Sequence, residues 1–163
     1  MALTKINNNT LSAITGLPAG VGGKVLQVKY MKSSSGITLS STSLVNLPLT
    51  NTITPSSTSS KILIQFQLQS KLEFHNTEGY GTAVKRTISA SATTLFEQVS
   101  YQNYAYYNTG GGEIGGISYY CFEDSPNTTS EITYVVQAKG NTTSSVQVPN
   151  GGENTFTLIE VSA

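Results

Sequence analysis

Residues 61–72 read Lys-Ile-Leu-Ile-Gln-Phe-Gln-Leu-Gln-Ser-Lys-Leu, and their apolar members recur at every second position. Ile62, Ile64, Phe66, Leu68 and Leu72 fall on one side of the alternation, while Leu63, Gln65, Gln67, Gln69 and Lys71 fall on the other. Successive side chains of an extended backbone point to opposite faces, so the stretch predicts one β-strand with a buried face and a wet face. On a helix the same residues would scatter around the circumference. A single strand with an apolar face is not stable in water, so the chain must supply paired strands and a second layer to cover it.

Residues 131–139 repeat the pattern, with Ile132, Tyr134, Val136 and Ala138 inward and Glu131, Thr133, Gln137 and Lys139 outward. A first strand is expected over 24–32, where Leu26, Val28 and Tyr30 alternate against Gln27, Lys29 and Met31. The run 37–49 is weaker, and Pro48 restricts it to an edge or a strand end. A turn-rich stretch, 53–60, feeds the central strand. Shorter strands are expected over 82–88, 94–99, 117–122, 145–148 and 155–161. Polar and glycine-rich breaks at 33–36, 75–79, 124–127 and 149–152 separate them. No ten-residue segment carries a helical stripe. About eight short strands without helices predict an all-β fold: an antiparallel β-sandwich, jelly-roll-like or Greek key.

At 163 residues the chain is expected to form one domain with its own core. Nine Lys plus Arg balance nine Asp plus Glu, and charged residues are only 11% of the chain. The remaining polarity comes from Ser, Thr, Asn, Gln and Gly. Zero net charge argues against a general nucleic-acid binder, which needs a basic surface to neutralise phosphates. Weak self-repulsion makes association with further copies, or with a larger assembly, physically easy. No apolar run approaches the roughly 18 residues that span a bilayer. Cys121 is the only cysteine, which excludes an intrachain disulfide and a cysteine-based zinc cluster. Asn-X-Thr triplets at Asn8, Asn127 and Asn141 are what chance supplies in a chain so rich in Asn and Thr.

Residues 1–22 differ from the domain expected over 23–163. Thr15, Gly16 and Pro18 interrupt any signal-peptide core, so the segment is expected to be retained. Gly16-Leu17-Pro18-Ala19-Gly20-Val21-Gly22-Gly23 is a helix-breaking connector. At about 3.3 Å per extended residue such an arm could reach some tens of ångströms. It reads either as a disordered leader or as an anchor docking into another protein through Leu3, Ile6, Leu11, Ile14 and Leu17.

Catalytic raw material is thin. A Ser-His-Asp triad would need His75 and Asp124, the only histidine and the only aspartate, and neither sits in a nucleophile context. A carboxylate pair for glycoside hydrolysis is conceivable among Glu73, Glu78, Glu97, Glu113 and Glu123, but no spacing singles out two. Glu123-Asp124 could contribute to a calcium site, although a turn beginning at Asp124 explains the pair more simply. The glycine-rich 110–116 lacks the Lys-Ser/Thr ending of a phosphate loop and reads as a flexible hairpin tip. Cys121 alternates with Ile117 and Tyr119 and is expected to be buried. The chain is therefore read as no enzyme, with no metal and no cofactor. The one surface with a positive signal is Tyr101, Tyr104, Tyr106, Tyr107 and Asn108, whose rings and amide suit glycan stacking or a protein interface. The same residues could simply cover a sheet face or a subunit contact.

Three stretches together resemble short-domain proteins of bacteriophage particles, especially phages of cyanobacteria and marine bacteria. They are Gly22-Gly23-Lys24-Val25-Leu26-Gln27-Val28 after a Leu-Pro-Ala-Gly leader, residues 53–64, and the ending 155–163 preceded by Tyr134 and Lys139-Gly140-Asn141. Met1-Ala2-Leu3-Thr4-Lys5-Ile6 resembles the anchoring leaders of virion fibre proteins. The resemblance spans 22–163, is one of domain pattern, and leaves 79–116 without a matching motif. It implies a homotrimeric jelly-roll-like module of tail fibres, head fibres or capsid decoration. Partners implied are further copies of itself and the phage major capsid protein or another virion protein. A short chain starting at Met1 favours a decoration or cement protein over a fibre subunit with a long shaft. It would be made in the host cytoplasm and placed on the virion exterior, on the capsid rather than the tail. The alternative is a tail-fibre or receptor-binding module recognising a host surface glycan through 101–108.

Overall fold

The computed structural model describes residues 24–74, 77–98, 103–106, 112–140, 146–149 and 152–162. Eleven strands follow in order: β1 (Val25–Ser33), β2 (Ile37–Leu39), β3 (Val45–Ile53), β4 (Lys61–Phe74), β5 (Thr77–Ile88), β6 (Ser91–Glu97), β7 (Asn103–Tyr106), β8 (Gly112–Asp124), β9 (Ile132–Gly140), β10 (Val146–Val148) and β11 (Asn154–Val161). They build two antiparallel sheets. In sheet A, β4 is flanked by β8 on one side; on the other side β11 and then β1 cover its first half, and β10 and then β2 its far end. Sheet B runs β3-β9-β5-β6, with β7 beside the start of β5. The chain passes repeatedly from one sheet to the other, the wrapping expected of a jelly-roll-like sandwich.

The alternation in 61–72 does what strand geometry requires. Ile62, Ile64, Phe66, Leu68 and Leu72 are all buried, and β9 matches them from sheet B with Ile132, Tyr134, Val136 and Ala138. Phe66 is the hub: its ring stacks on Tyr120 at 4.6 Å and meets Phe156 edge-on at 6.4 Å. Pro48 lies in β3, an edge strand whose pairing with β9 shifts register between Asn46 and Thr50. That is where a residue without an N–H donor does least harm.

Two expectations need correction here. The segment 110–116, read as a flexible tip, enters β8 at Gly112. Strand β4 continues past Leu72 to Phe74, and Gly112, Gly115 and Gly116 pair with Phe74, Lys71 and Ser70. A backbone that long needs hydrogen-bonding partners on both edges, and glycine backbones supply them as well as any. Cys121, read as buried, is exposed. The larger aromatic set of β8 takes the inner face, with Tyr120 on Phe66 and Phe122 stacked on Phe96 at 5.1 Å. A period of two then sends Ile117, Tyr119 and Cys121 outward.

The β5–β6 hairpin turns through Ser89 and Ala90, both with positive φ (47° and 69°), between the paired Ile88 and Ser91. Two consecutive left-handed residues are the signature of a tight primed turn, which Asn-Gly fits better than Ser-Ala. Ala90→Gly should therefore raise unfolding stability by about 0.5–1 kcal/mol, read as a shift in the urea midpoint at unchanged slope.

Candidate interaction face on sheet A

The outer face of sheet A is assembled from every second residue of four adjacent strands. Across the sheet the registers align Val28, Ile159, Leu63 and Glu123 in one row, and Tyr30, Thr157, Gln65 and Cys121 in the next. Lys32, Thr155, Gln67 and Tyr119 form a third row, and Gln69 pairs with Ile117 in the next. The exposed apolar groups gather at two opposite margins. Val25, Val28 and Tyr30 on β1 and Ile117 and Tyr119 on β8 are each 54–68% exposed. Between the margins lie the amides of Gln65, Gln67 and Gln69, the hydroxyls of Thr155 and Thr157 and the half-buried Leu63 and Ile159, with Lys71 beside Gly115.

The charges that border this face are paired. Lys32 meets Glu153 at 2.8 Å and Lys61 meets Glu123 at 2.5 Å. Hydrogen bonding to Glu153 raises the Lys32 ammonium above its ordinary value. Beside the β8 margin, Gly115 and Gly116 leave an open depression of about 240 Å³ lined by Gln69, Ser70, Gly115, Gly116 and Ile117. A Cβ placed on Gly116 would meet nothing within 4 Å.

The outer face of sheet B is built differently. Ala83 is 0% and Gln137 9% exposed, and Gln137 spends its amide on Asn46 at 2.8 Å. Lys139 reaches across to Glu97 at 2.6 Å. The outer face of sheet B thus carries bonded amides and an ion pair, while that of sheet A presents partly apolar surface.

Two carboxylates tie the sandwich together. Asp124, at the end of β8, accepts two bonds from Arg86 Nη1, at 2.7 and 2.9 Å, and one from the Tyr134 hydroxyl at 2.7 Å. Arg86 and Tyr134 are themselves partners across β5 and β9, so Asp124 clamps sheet A to sheet B. Burial, reinforced by the bond to Asp124, pushes the Tyr134 phenol far above its ordinary range. Glu160 on β11 is fully buried and accepts Gln27 Nε2 at 2.5 Å and both the N–H and the hydroxyl of Ser56 at 2.7 Å. Gln27 also reaches the Thr54 carbonyl at 2.7 Å, so the loop before β4 is latched to β1 and β11. Desolvation pushes the Glu160 carboxyl up, but Ser60, Gln27 and Ser56 outweigh it and hold the group down to about 2. The Ser60 hydroxyl is buried near the carboxylate without a well-formed bond to it.

The residues picked out from sequence fall as follows. Leu3, Ile6, Leu11, Ile14 and Leu17 lie outside the described residues, as do His75, Tyr101, Tyr107 and Asn108. Tyr104 and Tyr106 are in β7, with backbone partners Gly79 and Thr77. Glu73, Glu78 and Glu113 are placed on β4, β5 and β8. Glu97 and Glu123 are engaged by Lys139 and Lys61. Glu123 and Asp124 cannot chelate one cation together, because strand alternation turns Glu123 outward and Asp124 inward. Asp124, expected to begin a turn, is the last residue of β8; after it Asn127 sits at φ 52° with its amide bonded to the Ser125 carbonyl at 3.1 Å. Reading the sequence missed the sheet A face, although Val28 with Tyr30 and Ile117 with Tyr119 stood in its alternations.

No protein-family model matches the chain, and no curated protein matches it. Among solved structures it is similar to a chain of infectious bursal disease virus, Gt strain, at a TM-score of 0.41 and 14% identity. The similarity covers 84% of this chain and 38% of that one, so this chain spans little more than a third of the other's length. A likeness of that degree transfers no function, and the reading below rests on the surface just described.

Proposed function

We propose that this chain is a non-enzymatic structural subunit of a bacteriophage particle, a trimeric decoration or cement protein on the capsid exterior attached through residues 1–22. The observation that carries the reading is the contrast between engaged chemistry and open surface. Glu97, Glu123, Glu153, Glu160 and Asp124 are all held by partners, while one sheet face exposes apolar residues along both of its margins. Such a domain is equipped to pack rather than to turn over a substrate. Its mechanism would be mass action: many copies that bind only the assembled shell stabilise that shell.

Immunogold labelling of purified virions with antibody against the recombinant chain tests this. Gold over the head is the expected result, and gold at the tail tip would instead favour receptor binding through residues 101–108. No label on any particle would overturn the reading. Deleting residues 1–22 should leave a folded domain, by its β-type circular dichroism, that no longer binds particles.

A further inference from the structure

We infer that the outer face of sheet A holds a neutral glycan chain, laid across the strands between Tyr30 and Tyr119 and bonded at its middle by Gln65, Gln67, Thr155 and Thr157. The inference goes beyond the virion reading and does not depend on it.

The site is two neighbouring rows of the sheet. One reads Tyr30, Thr157, Gln65, Cys121, and the next reads Lys32, Thr155, Gln67, Tyr119. A tyrosine therefore closes each row, at opposite ends, and the two stand clear of the sheet at 60% and 61% exposure. Strand spacing and rise put them about 14 Å apart across the strands and about 7 Å along them. At that separation the rings serve different sugars of one chain, each stacking on the C–H face of a pyranose.

Between the rings lies open hydrogen-bonding capacity. Other glutamines of the described residues are engaged: Gln27 with Thr54 and Glu160, Gln137 with Asn46, Gln98 with Thr82, and Gln69 lies against Gly152. No bond among the described residues takes the Gln67 amide, and Gln65 makes only a long contact from Nε2 to Cys121 Sγ at 3.7 Å. The half-buried hydroxyls of Thr155 and Thr157, beside these amides, are open in the same way. A primary amide donates and accepts at once, and so does a hydroxyl. Adjacent hydroxyls on a sugar ring call for that pairing.

The order of polarity distinguishes a sugar from a protein partner. Protein interfaces bury an apolar centre inside a polar rim, whereas these two rows are polar in the middle and aromatic at the ends. A glycan has polar ring edges and apolar ring faces, and matches them. It is a neutral one because the cations here are engaged: Lys32 pairs with Glu153, Lys61 with Glu123, and Lys71 has a partner too. A carboxylated or sulfated chain would find no spare counter-charge. Past Tyr119 the surface dips only shallowly at Gly115 and Gly116, so the chain lies on the face and not in a pocket.

The test is an array of neutral and acidic oligosaccharides probed with the purified full chain, followed by titration calorimetry with the best neutral member. Binding to neutral members is the expected result. Tyr119→Ala and Gln67→Ala should each weaken it about tenfold, the effect of losing one stacked ring or one well-formed bond. Tyr119→Phe, which keeps the ring, should stay close to wild type. Both positions are on the outer face, so these variants should keep the wild-type melting curve. Tyr104→Ala, on β7, should leave the affinity unchanged, which separates this face from residues 101–108. No neutral sugar bound, a preference for acidic ones, or an affinity that falls in Tyr104→Ala but not in Tyr119→Ala would each overturn the inference. Self-association lost in Tyr119→Ala, with no sugar bound, would also overturn it and give the face to a second copy. Gold labelling of virions is independent of these outcomes, so the virion reading stands or falls separately.

Discussion

Asp124→Ala should destabilise the chain by about 3 kcal/mol, the low end for removing one partner of a buried ion pair. The low end applies because the Arg86 side chain keeps 19% of its exposure, whereas Asp124 keeps only 8%. The loss has two parts. A guanidinium is left without its counter-charge beneath the sheet edge, and the Tyr134 hydroxyl, buried among apolar neighbours, loses its acceptor. Replacing all three partners, as Asp124→Leu, Arg86→Met and Tyr134→Phe, should return most of the stability, because no uncompensated group then remains. Urea unfolding of the single and triple variants decides the matter. A triple variant no more stable than Asp124→Ala would show that the clamp contributes net stability beyond avoiding an orphaned charge.

Glu160 should make the domain acid-sensitive over a definite window. Its folded-state value, about 2, lies below the ordinary 4.5. A carboxyl depressed by folding binds its proton more weakly in the native state than in the unfolded one. Its contribution is complete above about pH 4.5 and drains away as pH falls toward 2. At about 1.4 kcal/mol per unit the contribution is at most about 3.5 kcal/mol. Glu160→Gln should therefore be markedly less stable than wild type at pH 6, and the two should converge near pH 2. A difference that stays constant with pH would mean that the amide loses packing geometry rather than charge. The first part to loosen should be the latch on residues 54–60, read by faster hydrogen exchange there.

The fold was legible where both faces of a strand carried different chemistry. In β4 and β9 the apolar set and the polar set separate except at Leu63 and Val135, so parity alone assigned the core, and it holds. In β1 and β8 both sets contain apolar residues, and alternation cannot say which set faces in. The choice is made by partners far along the chain. Phe66 and Phe96 draw Tyr120 and Phe122 inward, which leaves Tyr119 and Cys121 outside. The glycines of 112–116 read as loop because their strand identity is imposed by β4 rather than by themselves. The Asp124 clamp had a sequence signal that went unused: the chain contains one arginine and one aspartate, and they pair. The Glu160 latch had none, since serines and a glutamine scattered over a hundred residues converge only once β1, β11 and the 54–60 loop are in place.

The pairing of β1 with β11 has a mechanical consequence. Lys24 is the first described residue; its N–H bonds to the Ser162 hydroxyl at 3.0 Å and its carbonyl accepts the Ser162 N–H at 3.0 Å. From there β1 runs inward against β11 through eight aligned residue pairs, from Val25 with Val161 to Ser33 with Asn154. A tug delivered through the preceding residues, along the strand, loads that ladder lengthwise. The bonds then share the force together instead of parting one after another, as they would if β1 were peeled sideways. If residues 1–22 attach the chain, as proposed, the load enters at the end of a sheared ladder, and a small domain can hold against drag without a covalent link.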